Sequence, residues 1–200
     1  MLRPKTIHDF GGFPTELYQV QYPAPGDPSL AAEVQSLLKP AAVQLDQAWG
    51  LDHGTWQVTI HLFPRADIPV VQLSIDATQP PQFHYEVGRR LAPLRNDGVL
   101  ILGSGNIVHN LALMVRHDGT PAFEWAARFS DFVRASLLKR DHAALIGYAG
   151  RGADARLSVP TPEHYLPLLY VLGTQNDSDT ADVFVEGSVY GSLDMLSVAI

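Results

Sequence analysis

The 200-residue sequence contains no cysteine. Disulfides, thiolate nucleophiles and cysteine-held zinc or iron–sulfur centres are thereby excluded, and any metal must rest on histidine and carboxylates. Excess basic charge is also lacking: 14 Lys and Arg stand against 21 Asp and Glu, a formal charge of −7, with no Lys/Arg run. That balance offers no electrostatic footprint for nucleic acid or an anionic membrane, and it suits a small, neutral or weakly charged substrate. No apolar run reaches bilayer length, and the opening MLRPKTIHDFGG lacks the charged-then-apolar design of a secretory signal. A cytoplasmic protein is expected. At 46% apolar residues the chain can bury a core; no repeat, low-complexity tract or linker divides it, so one domain over residues 1–200 is expected.

What is present reads as strands alternating with helices. Thr15–Tyr18 suggests one helical turn. Asp27-Pro28 is a cap and first position for a helix with the stripe Leu30, Val34, Leu37 and Leu38, ended by Pro40. Val43 and Leu45 suggest a short strand, and Gly54–Leu62 a helix. The β-branched run Ile68–Ile75 and the run Gly98–Leu102 predict strands covered on both faces. Phe83, Val87, Leu91 and Leu94 mark a helix, Pro121–Lys139 another, and Ala143–Tyr148 a further helical stretch. Arg151–Asp154 reads as an exposed loop, Leu157–Val159 as a strand, Pro162–Gly173 as a helix, and Val183–Glu186 and Ser192–Val198 as strands. The pattern implies an α/β fold, a three-layer sandwich around a largely parallel or mixed central sheet. In such sheets ligands bind beyond the carboxyl ends of the strands, which selects His109 and His164 among the eight histidines.

Four segments can carry chemistry, each with a structural alternative. In WGLDHGTW (49–56), Asp52 can be a helix cap and His53 a surface residue, or the pair can act on a ligand. GSGNIVHN (103–110) is a glycine-rich turn that matches neither the dinucleotide fingerprint nor a P-loop, and Ser104 is not in a nucleophile elbow. In PTPEHYLP (160–167), Thr161 can cap a helix and Glu163 can face its dipole, with His164 merely packed. IHDFGGFP (7–14) reads as a packed turn. His61, His84, His117 and His142 fall on predicted helices or charged loops and are expected to be solvated.

HDFGGFP, WGLDHGTW, ADIPVVQLSID, LAPLRNDGVLILGSGNIVHNL and PTPEHYLPLLYVLG, closing with GSLDMLSV, occur in one order along nearly the whole chain. In that order and spacing the sequence resembles the class III (LigB-type) extradiol catechol dioxygenases, of the 4,5-DOPA dioxygenase-like branch. The resemblance implies cleavage of a small catechol ring by O2 at a non-haem Fe(II), with Zn(II) an alternative occupant of purified samples, and a homo-oligomer as one option. It makes His164 a metal ligand, with Glu163 as fallback. His109 matches the histidine that acts as base on the catechol and as acid during O–O cleavage, a position also counted as a ligand. His53 matches a pocket histidine that hydrogen-bonds substrate or bound oxygen. Two further iron-ligating histidines are implied upstream of Met1, since His8 matches a different position; the domain is therefore expected to be N-terminally incomplete and to lack activity by itself. The alternatives are a non-catalytic binding protein on the same fold and, more distantly, a metal-dependent hydrolase.

Overall fold

The computed structural model describes residues 1–200, which divide into two compact units, Met1–Ser74 and Ile75–Ile200. No helix is long and apolar enough to cross a membrane.

In the first unit, β1 (Lys5–Thr6) pairs in parallel with β2 (Gly50–Leu51). Two helices belong to the same unit. In α1 (Pro28–Leu37) the Asp27 carboxylate accepts the backbone N–H groups of Ser29 and Leu30, so the expected cap is formed. In α2 (His53–Leu62) Asp52 caps through Thr55 N–H. A short 3-10 helix occupies Thr15–Gln19. The small core gathers Tyr22, Ala24, Leu51 and Trp56; its buried polar tips are satisfied, the Trp56 indole N–H donating to Ile7 O and the Tyr22 hydroxyl to Phe63 O.

The second unit is built on helices: α3 (Pro81–Leu91), α4 (Glu124–Leu138), α5 (His142–Ile146), α6 (Ala153–Ser158) and α7 (Leu166–Gly173). Its core gathers Ala126, Phe129, Val133 and Leu137 of α4, Leu166, Leu169 and Leu172 of α7, and Leu145, Tyr148 and Tyr165. The α4 positions fall at i, i+3, i+7 and i+11, one face of a helix. α3 and α7 touch backbone to backbone. A Cβ on Gly88 would strike the Tyr170 carbonyl, and one on Gly173 the Tyr85 carbonyl, so glycine at both positions sets the approach. The C-terminal segment forms two antiparallel ribbons, β3 (Asp182–Val185) with β6 (Ser197–Ala199) and β4 (Ser188–Val189) with β5 (Leu193–Asp194).

The composition is thus mixed helix and strand, an α/β arrangement with three two-stranded sheets. Several expected elements differ. Neither 68–75 nor 98–102 is a strand, and Leu100 is 66% exposed. Apolar β-branched composition describes a residue's fit to a pleated surface, and without a neighbour to supply a ladder it does not fix a strand. Val43 and Leu45 lie outside any strand as well. Residues 157–158 end helix α6 instead of forming a strand, because Ala153, Ala155 and Arg156 favour helix and Ala155 and Ser158 bury on one side. Arg151 lies over the Phe132 ring and Asp154 pairs with Arg128, so 151–154 is anchored rather than a free loop. The expected strand 192–198 breaks in two where the Asp194 carboxylate accepts Leu196 N–H and turns the chain.

His84 is fully buried, not solvated. It accepts the expected α3 face but fills it with a polar ring. Its Nε2–H donates to the Gln79 carbonyl, which leaves Nδ1 to accept the Tyr170 hydroxyl at 2.9 Å. His142 is likewise engaged, between the Tyr85 hydroxyl and the Gln175 side-chain oxygen. Burial holds the His84 imidazole below its ordinary value, partly offset by Gln79 and Asp76, and pushes the Tyr170 phenol up to about 12. Because the folded-state value lies below the unfolded one, the unfolded chain binds the proton more readily. The contribution is complete above the unfolded value of about 6.5 and is lost as pH falls through the folded value. Urea midpoints should therefore fall between pH 7.5 and pH 5, and His84→Phe with Tyr170→Phe should shrink that difference; an unchanged pH dependence would count against His84 as its source.

Candidate active site

Two segments that are remote in sequence fix His109. Its backbone N–H donates to Ser158 O at 2.9 Å, and Asp194 N–H donates to Val108 O. The neighbouring Asn110 is buried: its side-chain amide donates to Leu157 O, its backbone N–H to Ser192 O, and its own carbonyl accepts the Ser192 hydroxyl. Asn106 adds a bond to Asp194 O at 2.6 Å. The glycine-rich turn before His109 exists for clearance rather than for phosphate. A Cβ on Gly105 would collide with the His164 carbonyl, and one on Gly103 would meet the Pro167 carbonyl at 2.7 Å.

His164 ends the 3-10 helix Pro162–His164 and is held by the buried Tyr165, whose hydroxyl donates to Leu145 O. The structure brings His109 and His164 into face-to-face contact, ring centroids 3.5 Å apart and planes 14° from parallel. Glu163 lies at the exposed rim of the pair, with the Thr161 hydroxyl donating to its carboxylate at 2.6 Å. Burial lowers the His109 imidazole, and the nearby Glu163 charge partly restores it. Burial works to raise the Glu163 carboxyl in turn, but Thr161, its own backbone N–H and the two imidazoles outweigh it and hold it below the ordinary range. Two stacked imidazoles beside one carboxylate tolerate one added proton better than two. The cluster is therefore suited to taking up and releasing a single proton.

His53 belongs to the other unit. It is the first residue of α2, and its Nδ1 lies 2.8 Å from the Asp9 carboxylate, which also accepts the His53 backbone N–H at 3.0 Å. Phe10 meets the His53 ring edge-on at 5.7 Å and packs with Phe13, Tyr18 and Trp56. His8 Nε2–H donates to Val20 O, and the ring packs on Trp56. Sequence reasoning passed over Asp9 and Asn110; the signal for Asp9 was its place beside a histidine in an aromatic, glycine-containing motif.

The donor set does not suit the metal that the resemblance implies. No three His, Asp or Glu side chains converge where they could hold an ion. An imidazole nitrogen binds a metal in its ring plane. A metal shared equally by the stacked rings would stand half of their 3.5 Å separation out of each plane, most of a metal–nitrogen bond of about 2.1 Å. The residues present, as arranged, do not fit the group.

Residues 3–194, which carry the clearance glycines, the clamped histidine pair and the rim carboxylate, match the family described as the catalytic LigB subunit of aromatic ring-opening dioxygenase. The chain belongs to this extradiol dioxygenase family. Among its relatives, a 4,5-DOPA dioxygenase extradiol of Escherichia coli K12 is 49% identical over all of this chain and 75% of its own length. The protein of the same name from Beta vulgaris is 38% identical, over 89% of this chain and 67% of its own. The crystal structure of an uncharacterized protein from Escherichia coli K12 superposes with a TM-score of 0.84 at 44% identity, covering 98% of this chain and 80% of that one.

Proposed function

We propose that the protein takes part in extradiol cleavage of a small catechol, DOPA or a similar molecule, in the cytoplasm. In that reaction the ring bond beside one hydroxyl-bearing carbon breaks and both atoms of O2 enter the product. The observation that carries the reading is the His109/His164 stack with Glu163 at its rim, which is built to accept one proton and give it back. His109 takes the first hydroxyl proton of the catechol, Glu163 stabilises the imidazolium so formed, and the same proton is returned later. His53 is proposed to hydrogen-bond the bound substrate. The naming of the relatives as 4,5-DOPA dioxygenases supports the substrate class. A three-layer sandwich is proposed as the architecture in which this activity operates, although 68–75 and 98–102 are irregular in this structure.

Fe(II) is the metal this reading requires, with His164, or Glu163 in its place, as the ligand offered by this chain. Since no three donors converge, the 200-residue chain is expected to bind Fe(II) weakly. At equimolar iron, oxygen uptake with DOPA should be small, and it should rise with excess Fe(II). Tight stoichiometric iron with full turnover would show that the donors rearrange into a complete set. The same shortage of donors favours a second reading, a non-catalytic binder on this fold, which absence of turnover at saturating Fe(II) with retained catechol binding would establish.

A further inference from the structure

We propose that Asp9 is the positioning residue of His53: it holds the ring as the Nδ1–H tautomer and so leaves Nε2 as a fixed acceptor for a catechol hydroxyl. The inference rests on the catechol reading above for the identity of the ligand, but the tautomer assignment does not depend on that reading. One oxygen of Asp9 receives two hydrogen bonds from one residue, from His53 backbone N–H at 3.0 Å and from ring Nδ1 at 2.8 Å. A backbone N–H can only donate and an ionised carboxylate can only accept, so Nδ1 must carry the hydrogen. The carboxylate is ionised. Burial works to raise it, but the bonds from His53 outweigh burial and keep it below the ordinary range. The other ring nitrogen has no partner among the side chains and carbonyls around it, although the His53 side chain is only 38% exposed.

The surroundings restrict rotation as well. Phe10 stands nearly perpendicular to the imidazole at 86°, and is itself braced by Phe13, Tyr18 and Trp56. The backbone bond from His53 to Asp9 pins the root of the side chain, so a ring flip would break the Nδ1 contact without a replacement. A carboxylate that fixes a histidine tautomer so that the far nitrogen meets a ligand is a general arrangement. The competing account is that Asp9 only staples its loop to the first turn of α2, where a free N–H and the helix dipole welcome an anion. That account predicts nothing about the ring.

The two accounts separate in 15N-edited NMR of the full 200-residue chain, titrated with 4-methylcatechol. In the native chain His53 should show the Nδ1–H pattern, and the catechol should move its Nε2 resonance. Asp9→Asn keeps an acceptor oxygen and should keep the tautomer, with catechol affinity within about threefold. Asp9→Ala should release the ring to a tautomer mixture and weaken catechol about 10- to 100-fold, and His53→Phe should make the further loss of Asp9 silent. Should Asp9→Ala disturb the α2 amide signals, the Asn variant and the His53→Phe background decide alone. A native His53 in the Nε2–H form or a mixture overturns the proposal while leaving the catechol reading intact. An Asn variant that keeps the tautomer yet binds catechol as poorly as Ala overturns it too. A fixed Nδ1–H ring whose Nε2 ignores 4-methylcatechol overturns the assignment of the ligand and with it the catechol reading, but not the dyad.

Discussion

His109→Ala is expected to lower ring-opening turnover about 10²- to 10⁴-fold at saturating Fe(II), the usual span for loss of a positioned proton-transfer group. The substitution leaves the backbone clamp intact, because the bonds from His109 N–H to Ser158 O and from Asn110 to Leu157 O and Ser192 do not use the imidazole. It also removes the stacked partner of His164. The control is Asn110→Ala, which keeps both imidazoles but removes the side-chain bond that locates them; it should lose both stability and turnover. Oxygen consumption and ring-opening absorbance with DOPA across an Fe(II) series separate the cases. If His109→Ala merely shifts the iron concentration needed and regains full turnover at excess, His109 acts as a metal ligand and not as the proton carrier.

Gly173→Ala should cost the second unit about 3 kcal/mol, the upper part of the usual range for overpacking. The new methyl would meet three backbone atoms, the Tyr85 carbonyl oxygen, Arg89 N at 2.8 Å and Gly88 C at 2.9 Å, and none of these can rotate aside. Relief requires α3 and α7 to separate, which opens the shared core at Leu169 and Leu172. In thermal unfolding the loss corresponds to a midpoint lower by roughly 6–12 °C. Gly88→Ala, across the same contact, should be comparably harmful. The double variant should cost less than the sum, since either methyl already forces the gap. Gly150→Ala is the neutral comparison: nothing lies within 4 Å of its Cβ position. A Gly173→Ala protein as stable as the parent would mean that the helices have slack that the packing does not show.

Helices with a cap signal or a long apolar period were legible. α1 had the Asp27-Pro28 start and an apolar stripe, and α4 had apolar residues at helical spacing, whereas the short α6 had neither and read as loop and strand. The strands were not legible. Isoleucine- and valine-rich runs at 68–75 and 98–102 announce suitability for a sheet, but a ladder is a property of two segments, and the second segment is invisible to a local reading. His84 misled for a related reason: a polar ring on an otherwise apolar helix face reads as solvent-exposed unless its remote partner, Tyr170, is known. The histidine pair is instructive in a different way. Placement beyond the carboxyl ends of strands selected His109 and His164, yet the residues before them are irregular in one case and helix α6 in the other. What brings the rings together is the backbone clearance at Gly105 and the Asn110 clamp, neither of which has a periodic signature. The motif order along the chain carried that information where periodicity could not.

The Asn110 clamp also dictates when the site can appear during folding. Its bond to Leu157 O closes a loop of 47 residues and its bond from Ser192 one of 82. Such closures carry an entropic cost that only a nearly complete tertiary structure repays, so they belong to the late steps of a folding reaction. A helical intermediate holding α4 and α7 together would already bury most of the apolar core while His109 still wandered. Recovery of a stacked imidazole signal after dilution from denaturant should therefore lag behind recovery of helix, and the lag would time the docking of the C-terminal ribbons onto the helices.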